Sequence, residues 1–274
     1  MVMPPSLATV QRLVTADLQR FEDALTKSFS IDSVTLGAVM DYLLTAKGKR
    51  LRPTLVFLSA RLFGVPLDTT MRTALFVELL HTATLIHDDV VDGSDERRGR
   101  PAVHVRWDTP TAVLAGDFLL ARAMELLANS DNLPILREML DTARSMSEGE
   151  LMQREEGSRQ KTEDSRYLEV IKRKTAMLFK ACCVGGALSV GASERQATLI
   201  GTFGLNLGMV FQMRDDLLDE DDPATTKEAE ALLPGYLEKT MAALEALEAD
   251  TTGLSVEVLE SLRALALFCA ERTH

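Results

Sequence analysis

No proline falls between Pro134 and Pro223. Proline removes a backbone donor and clashes with the preceding helical turn, so a span this long without one leaves room for long, unbroken helices. Composition points the same way. Aromatic residues are 5% of the chain, with one Trp and three Tyr, while Ala, Leu, Glu, Met and Arg, which favour helix over strand, dominate the rest. Apolar positions recur with helical spacing through nearly the whole chain, and the breaks carry capping residues rather than strand-turn residues. The expected fold class is all-α. At 274 residues, with no solenoid-period repeat and no low-complexity linker, residues 1–274 are expected to form a single domain.

About ten helices are expected from this pattern. The first runs from Leu7 to Ser28 and the second from Val34 to Leu44; a GKRLRP connection leads to a third over Thr54 to Phe63, stopped by Gly64 and Pro66. Asp68 or Thr69 caps a helix that runs to an acidic cluster at Asp88. Thr109 ahead of Pro110 opens another to Ala128, Pro134 starts one to Gln153, and Ser165 to Val190 reads as one helix. Ser193 with Gln196, and Thr225 with Glu228, have the spacing of capping boxes. The helices they open end at a second acidic cluster and at Glu248, and Glu257 to Arg272 closes the series.

Lys and Arg number 30 against 41 Asp and Glu, a formal net charge of −11. Such a balance opposes a partner bound through its phosphate backbone, so nucleic acid is not expected. The three cysteines, Cys182, Cys183 and Cys269, leave one unpaired and form no C-x-x-C pair, which argues against a disulfide framework or a thiolate zinc site. Met1 to Leu13 carries no basic leader with a long apolar run, and the apolar stretch Ala181 to Ala192 is too short to cross a bilayer. The expectation is a cytoplasmic protein with no stable membrane insertion.

Asp88, Asp89 and Asp92 spell D-D-V-V-D, and Asp215, Asp216 and Asp219 spell D-D-L-L-D. On a helix, positions i and i+4 share a face, so Asp88 stacks with Asp92 and Asp215 with Asp219. Two like charges about 4 Å apart repel by about 4 kcal/mol at an effective dielectric near 20, and acids at the end of a helix also oppose its dipole. A single acidic triplet is usually a solvated helix end. Two matching ones, each directly after an apolar run (TATLI and GMVF), break the same local rules twice, and a divalent, oxygen-seeking cation is the compensation that such a break requires. Because Mg²⁺ takes one or two carboxylates together with phosphate oxygens, a phosphorylated ligand is implied. Basic clusters are available to meet it: Lys49, Arg50 and Arg52; Arg97, Arg98 and Arg100; Lys172, Arg173 and Lys174. Each alone reads as a solvated face, yet guanidinium forks suit phosphate. The absence of a glycine-rich Walker loop from the sequence speaks against an NTPase.

In their order and spacing, GKRLRP, LIHDDVVDGSDERRGRP, AVLAGDFLLARA, EGEL, KTAMLF and LGMVFQMRDDLLD resemble the trans-type polyprenyl diphosphate synthases, densely over Leu43 to Asp219 and loosely beyond. The resemblance implies a helical bundle around a deep central cavity (the isoprenoid synthase fold), a homodimer, and Mg²⁺ as cofactor. It also implies head-to-tail condensation of isopentenyl diphosphate with an allylic diphosphate such as farnesyl or geranyl diphosphate. Carried over by motif, Asp88, Asp92 and Asp215 bind metal, with Asp89, Asp216 and Asp219 in support. Arg97, Lys174 and Gln212 hold the allylic diphosphate; Lys49, Arg52, His81 and Arg98 hold isopentenyl diphosphate; Thr175 and Gln212 face the developing carbocation. The implied reaction is ionisation, condensation and elimination, with metal and cationic side chains stabilising the departing diphosphate, which then takes the final proton.

One turn below Asp88 stand Ala83 and Thr84, and two turns below stands Leu80, stacked along the face toward the metal. Short-chain members of the family carry bulky aromatics at the first of these levels, so Ala83 and Thr84 predict a medium- to long-chain all-trans product. After Asp219 the family pattern continues into a lysine-bearing loop and another helix, whereas EDDPATTKEAE leads at once toward the C-terminal helices. A loop is thus missing near 220–224, read as omitted rather than deleted, since losing its lysines should cripple ionisation; Lys227 is not assigned their role. Two rival readings remain. A terpene cyclase needs no second diphosphate site, which GKRLRP and the repeated motif oppose; a non-catalytic or regulatory partner subunit commonly lacks one acidic motif, and here both are whole.

Overall fold

The first backbone N–H groups of a helix have no partner within it, so helices begin where a side chain can accept from them. The computed structural model describes residues 6–29, 31–45, 48–130, 132–157, 164–219 and 222–272. Among these the chain forms α1 (Leu7–Gln11), α2 (Thr15–Lys27), α3 (Val34–Thr45), α4 (Leu51–Phe63) and α5 (Asp68–Asp92). A two-strand hairpin follows, β1 (Glu96–Arg97) with β2 (Arg100–Pro101). Then come α6 (Val103–Arg106), α7 (Thr109–Ala128), α8 (Leu133–Gly157), α9 (Asp164–Ile171), α10 (Met177–Leu188), α11 (Glu194–Asp219), α12 (Pro223–Asp250) and α13 (Val256–Glu271). The all-α expectation holds.

Several boundaries differ from the sequence reading, each for a local reason. The capping box at Ser193 and Gln196 forms as expected, each backbone N–H bonded to the other side chain. At α7 the cap is Asp108, whose carboxylate accepts from the Thr111 N–H at 2.7 Å, so Thr109 lies inside the helix. Thr225 is likewise inside α12, donating to Asp222, which is the cap. Neither Asp68 nor Thr69 caps α5; the Thr70 hydroxyl accepts from the N–H of Leu67 instead. The expected single helix from Ser165 to Val190 is divided: residues Lys172–Ala176 form one π turn between α9 and α10. The region near 220–224 is described only from Asp222 on, and residues 220 and 221 lie outside the described residues.

The main apolar core runs from Val10 to Ala270 and is centred on the wholly buried rings of Phe57, Phe76, Phe179 and Phe203. α5 packs chiefly against α7, and α10 chiefly against α4 and α11. Two close approaches depend on glycine. A Cβ at Gly116 would lie 2.2 Å from the His87 ring, and one at Gly149 would lie 2.8 Å from the backbone N of Lys174. The second presses α8 against the π turn. Among the described residues no helix is long and apolar enough to cross a membrane.

Candidate functional site

Toward the C-terminal end of α5, His81, Thr84, Leu85, Asp88 and Val91 fall on one face because their spacing follows the helical period. That face forms one wall of a cavity of about 690 Å³. α11 supplies the opposing group Phe211, Gln212 and Asp215; α8 supplies Met146, Ser147, Glu150, Leu151 and Arg154; the π turn supplies Lys174 and Thr175. The two acidic motifs, distant in sequence, therefore open onto the same space. The π turn widens the helix by a residue, a device common at functional sites, and here it sets Lys174 and Thr175 side by side on the cavity wall.

A second chamber of about 370 Å³ adjoins the first and shares Arg52, His81, Arg98 and Phe211 with it; Lys49, Gly48 and Arg272 complete its polar lining with Arg50 and Glu78. Its two loops are held in unusual backbone states. Among the described residues, Arg50 (φ 51°) and Arg98 (φ 55°) are the positive-φ residues other than glycine, a conformation that costs about 1–3 kcal/mol when not glycine. Arg98 and Gly99 (φ 70°) form the two-residue turn between β1 and β2, a primed turn that suits the twist of a hairpin. The side chain of Arg50 bonds to Glu22 at 2.6 Å and Glu78 at 2.5 Å. It braces the loop, while Lys49 and Arg52 face the chamber.

The wide chamber mixes carboxylates with cations, whereas the narrow one is lined by cations with Glu78 as its one acid. In the wide chamber, burial pushes the Asp88 carboxyl up to about 6, aided by the negative charge of Glu150 and opposed by Lys174. Burial also raises Asp215, against the pull of Arg272, whose Nη2 lies 2.5 Å from its Oδ1 and whose guanidinium stacks on Phe211. Lys174 Nζ sits 2.6 Å from Glu150 and 2.9 Å from the Gln153 side chain. In the narrow chamber, burial lowers the pKa of Arg52 and its Nε is buried without a hydrogen-bond partner. His81 is held well below its ordinary value by burial and by Arg52, Arg98 and Arg97, so it stands neutral among cations.

Most of the residues singled out by sequence converge here: Asp88, Asp215, Lys174, Thr175, Gln212, Arg52, His81, Arg97 and Arg98 line the wide chamber, and Lys49 the narrow one. Asp92 and Asp219 are exposed at its rim, close enough that their charge raises the pKa values of Asp88 and Asp215. Asp89 and Asp216 turn elsewhere. Asp89 is buried and accepts from Arg97 Nε at 2.8 Å; Asp216 accepts from Tyr167 and Gln212. Of the residues expected along the shaft, Thr84 is on the cavity wall, but Leu80 and Ala83, each 2% exposed, are in the apolar core and not among the lining residues. Glu150, Tyr167 and Arg272 were not found by sequence reasoning. Glu150 carried a signal, since EGEL already stood out; Arg272 carried none.

The carboxylates fit a divalent cation. Asp88 carries burial and neighbouring negative charge that Lys174 only partly offsets, the imbalance that a cation relieves. Among the described residues no three acid, imidazole or thiol side chains are gathered into a ready metal cluster.

Comparison with known proteins agrees with this geometry. The family model described as polyprenyl synthetase matches residues 33–232. The chain is 36% identical over 214 residues to an octaprenyl diphosphate synthase of Haemophilus influenzae, covering 78% of this chain and 65% of that protein. It is 41% identical over 187 residues to a geranylgeranyl diphosphate synthase of Methanosarcina mazei, covering 66% and 58%. The chain thus spans less than two thirds of the length of these curated relatives. Its fold matches the crystal structure of a polyprenyl synthase from Caulobacter crescentus complexed with calcium and isoprenyl diphosphate, with TM-score 0.86, 30% identity and full coverage of both chains. A decaprenyl diphosphate synthase from Rhodobacter capsulatus matches with TM-score 0.84 and 27% identity, over 98% of this chain and 100% of that one.

Proposed function

Because the chain belongs to the polyprenyl synthetase family, we propose that it is a prenyltransferase that joins isopentenyl diphosphate head-to-tail to an allylic diphosphate and builds a medium- to long-chain all-trans polyprenyl diphosphate. The observation that carries this reading is the pair of adjoining chambers, the wide one bringing together carboxylates from two distant aspartate motifs and the narrow one lined by Lys49 with the shared cations Arg52 and Arg98. Two anionic substrates need two sites; a cyclase would need one.

In this reading Asp88, Asp92 and Asp215 would hold Mg²⁺ with the allylic diphosphate, and the ion would supply Lewis-acid charge to the leaving group. Lys174 and Arg97 add positive charge on the same leaving group, once Lys174 exchanges Glu150 for phosphate. Thr175 and Gln212 face the carbon from which it departs. Arg52, Lys49, Arg98 and neutral His81 hold the second diphosphate so that the isopentenyl double bond lies beside the cation, a proximity effect in a water-poor pocket. The released diphosphate takes the proton that completes the step. The growing tail passes Thr84, Met146 and Leu151. A cytoplasmic homodimer belongs to the same reading, and would cover exposed apolar side chains of α7 and α8 such as Leu114 and Leu133, 66% and 59% exposed.

Incubation of the purified protein with Mg²⁺, farnesyl diphosphate and isopentenyl diphosphate, followed by product sizing, tests it. Elongated diphosphates are expected. A cyclic hydrocarbon, or no product until a partner subunit is added, would overturn the reading.

A further inference from the structure

We infer that Tyr167 and Asp216 are positioning residues that fix the direction of the Thr175 hydroxyl, so that oxygen lone pairs rather than a proton face the chamber. The inference rests on the reading of that chamber given above. Four side chains form one continuous path. Thr175 Oγ1 donates to Gln212 Oε1 at 2.7 Å, Gln212 Nε2 donates to Asp216 Oδ1 at 2.9 Å, and the Tyr167 hydroxyl donates to Asp216 Oδ2 at 2.6 Å.

The polarity of the path is set at its far end. A carboxylate only accepts, whereas an amide can present either of two nearly identical faces. Opposite Asp216, Gln212 must present its NH₂, which turns its carbonyl oxygen toward Thr175. The Thr175 proton is then committed to Gln212, and the bare side of the oxygen is left for the cavity. Were the amide reversed, it would donate to Thr175 and drive the hydroxyl proton into the space where positive charge develops, an arrangement that opposes ionisation. Tyr167 anchors the second carboxylate oxygen, so Asp216 cannot rotate away from Gln212. This also explains why Asp216, unlike Asp215, does not line the cavity: both of its oxygens are occupied within the protein.

The test is a double-mutant cycle. Tyr167→Phe keeps the ring and removes the donor; Asp216→Asn keeps the shape and lets residue 216 donate. Each is expected to lower kcat about tenfold, the worth of one hydrogen bond to a charged group, with KM for the allylic diphosphate changed less than twofold. On a Thr175→Val background neither should cause further loss. Losses that add to that of Thr175→Val, or that appear in KM rather than kcat, would overturn the inference. Should the parent protein form no elongated product, the functional reading fails by itself, and the hydrogen-bond polarity is still decided by NMR of the Gln212 side-chain amide. Its NH₂ signals should shift in Asp216→Asn, and an unchanged signal would reject the path.

Discussion

The wide chamber and the narrow one differ in how they hold charge and in the parts of the chain that supply it. The acidic wall is built from helix faces, and its carboxylates lie at ordinary helical positions on α5 and α11. Their charge is left partly unbalanced, with Asp88 pushed up to about 6 and Asp215 leaning on Arg272. The basic wall is built from the loop that leads into α4 and from a hairpin, both carrying arginine in a left-handed conformation, and Arg52, in the first turn of α4, is enclosed with one nitrogen unpartnered. The difference teaches that only the second is prepared in the folded chain alone, since its strain and desolvation are met by the core. The first keeps a buried carboxylate, Asp88, whose charge Lys174 only partly offsets.

The largest effects should separate the two walls. Asp88→Asn or Asp215→Asn is expected to lower kcat/KM by about 10³ or more, in steady-state assays with both substrates saturating in turn. Arg52→Met should cost about 10²-fold, almost all of it in KM for isopentenyl diphosphate. Equal losses in both KM values would show that the chambers do not act separately. Thr84→Phe, on the cavity wall, should shorten the product by several isoprene units at nearly unchanged first-condensation rate, read by chromatography of the dephosphorylated products. Unaltered product length would remove this part of α5 from the path of the tail.

The smallest expected effect concerns acid, and here two groups of the cavity should respond with opposite sign. His81 is neutral in the fold and held below 6.5. As pH falls through that value, the unfolded chain takes up a proton that the folded one refuses, and stability is lost. Asp88 is held at about 6, above its ordinary 3.8. Between those values the folded chain binds the extra proton, so stability is gained as pH falls. Without divalent cations, His81→Gln should therefore flatten the acid-side fall in Tm and Asp88→Asn should steepen it, each by a few degrees. Shifts of the same sign would contradict the opposed environments.

Sequence reading picked out the residues that line the cavity better than the side chains that support them. The aspartate words were legible because helical spacing is local: Asp88 and Thr84 share a face whatever lies around them. The basic clusters were legible as composition, but not their division of labour. Arg50 reads like Lys49 and Arg52, yet it braces the loop against Glu22 and Glu78, partners supplied by two other helices. The same limit hid Arg272, which reaches Asp215 across 57 positions of chain, and Tyr167, one of three tyrosines, whose partner lies on another helix. Ala83 and Thr84 show the limit from the other side. Adjacent residues on a helix point about 100° apart, and only the neighbours of α5 decide which one meets the cavity and which the core.

The wall shared by the chambers, made of Arg52, His81, Arg98 and Phe211, suggests how the protein could be blocked. A single compound with two anionic heads on a short greasy spacer could straddle it, engaging cation-dependent and guanidinium-dependent recognition at once. Joining the heads makes the second attachment intramolecular, so such a bridging inhibitor should bind far more tightly than either half, and resistance would have to arise in residues that neither pocket can spare.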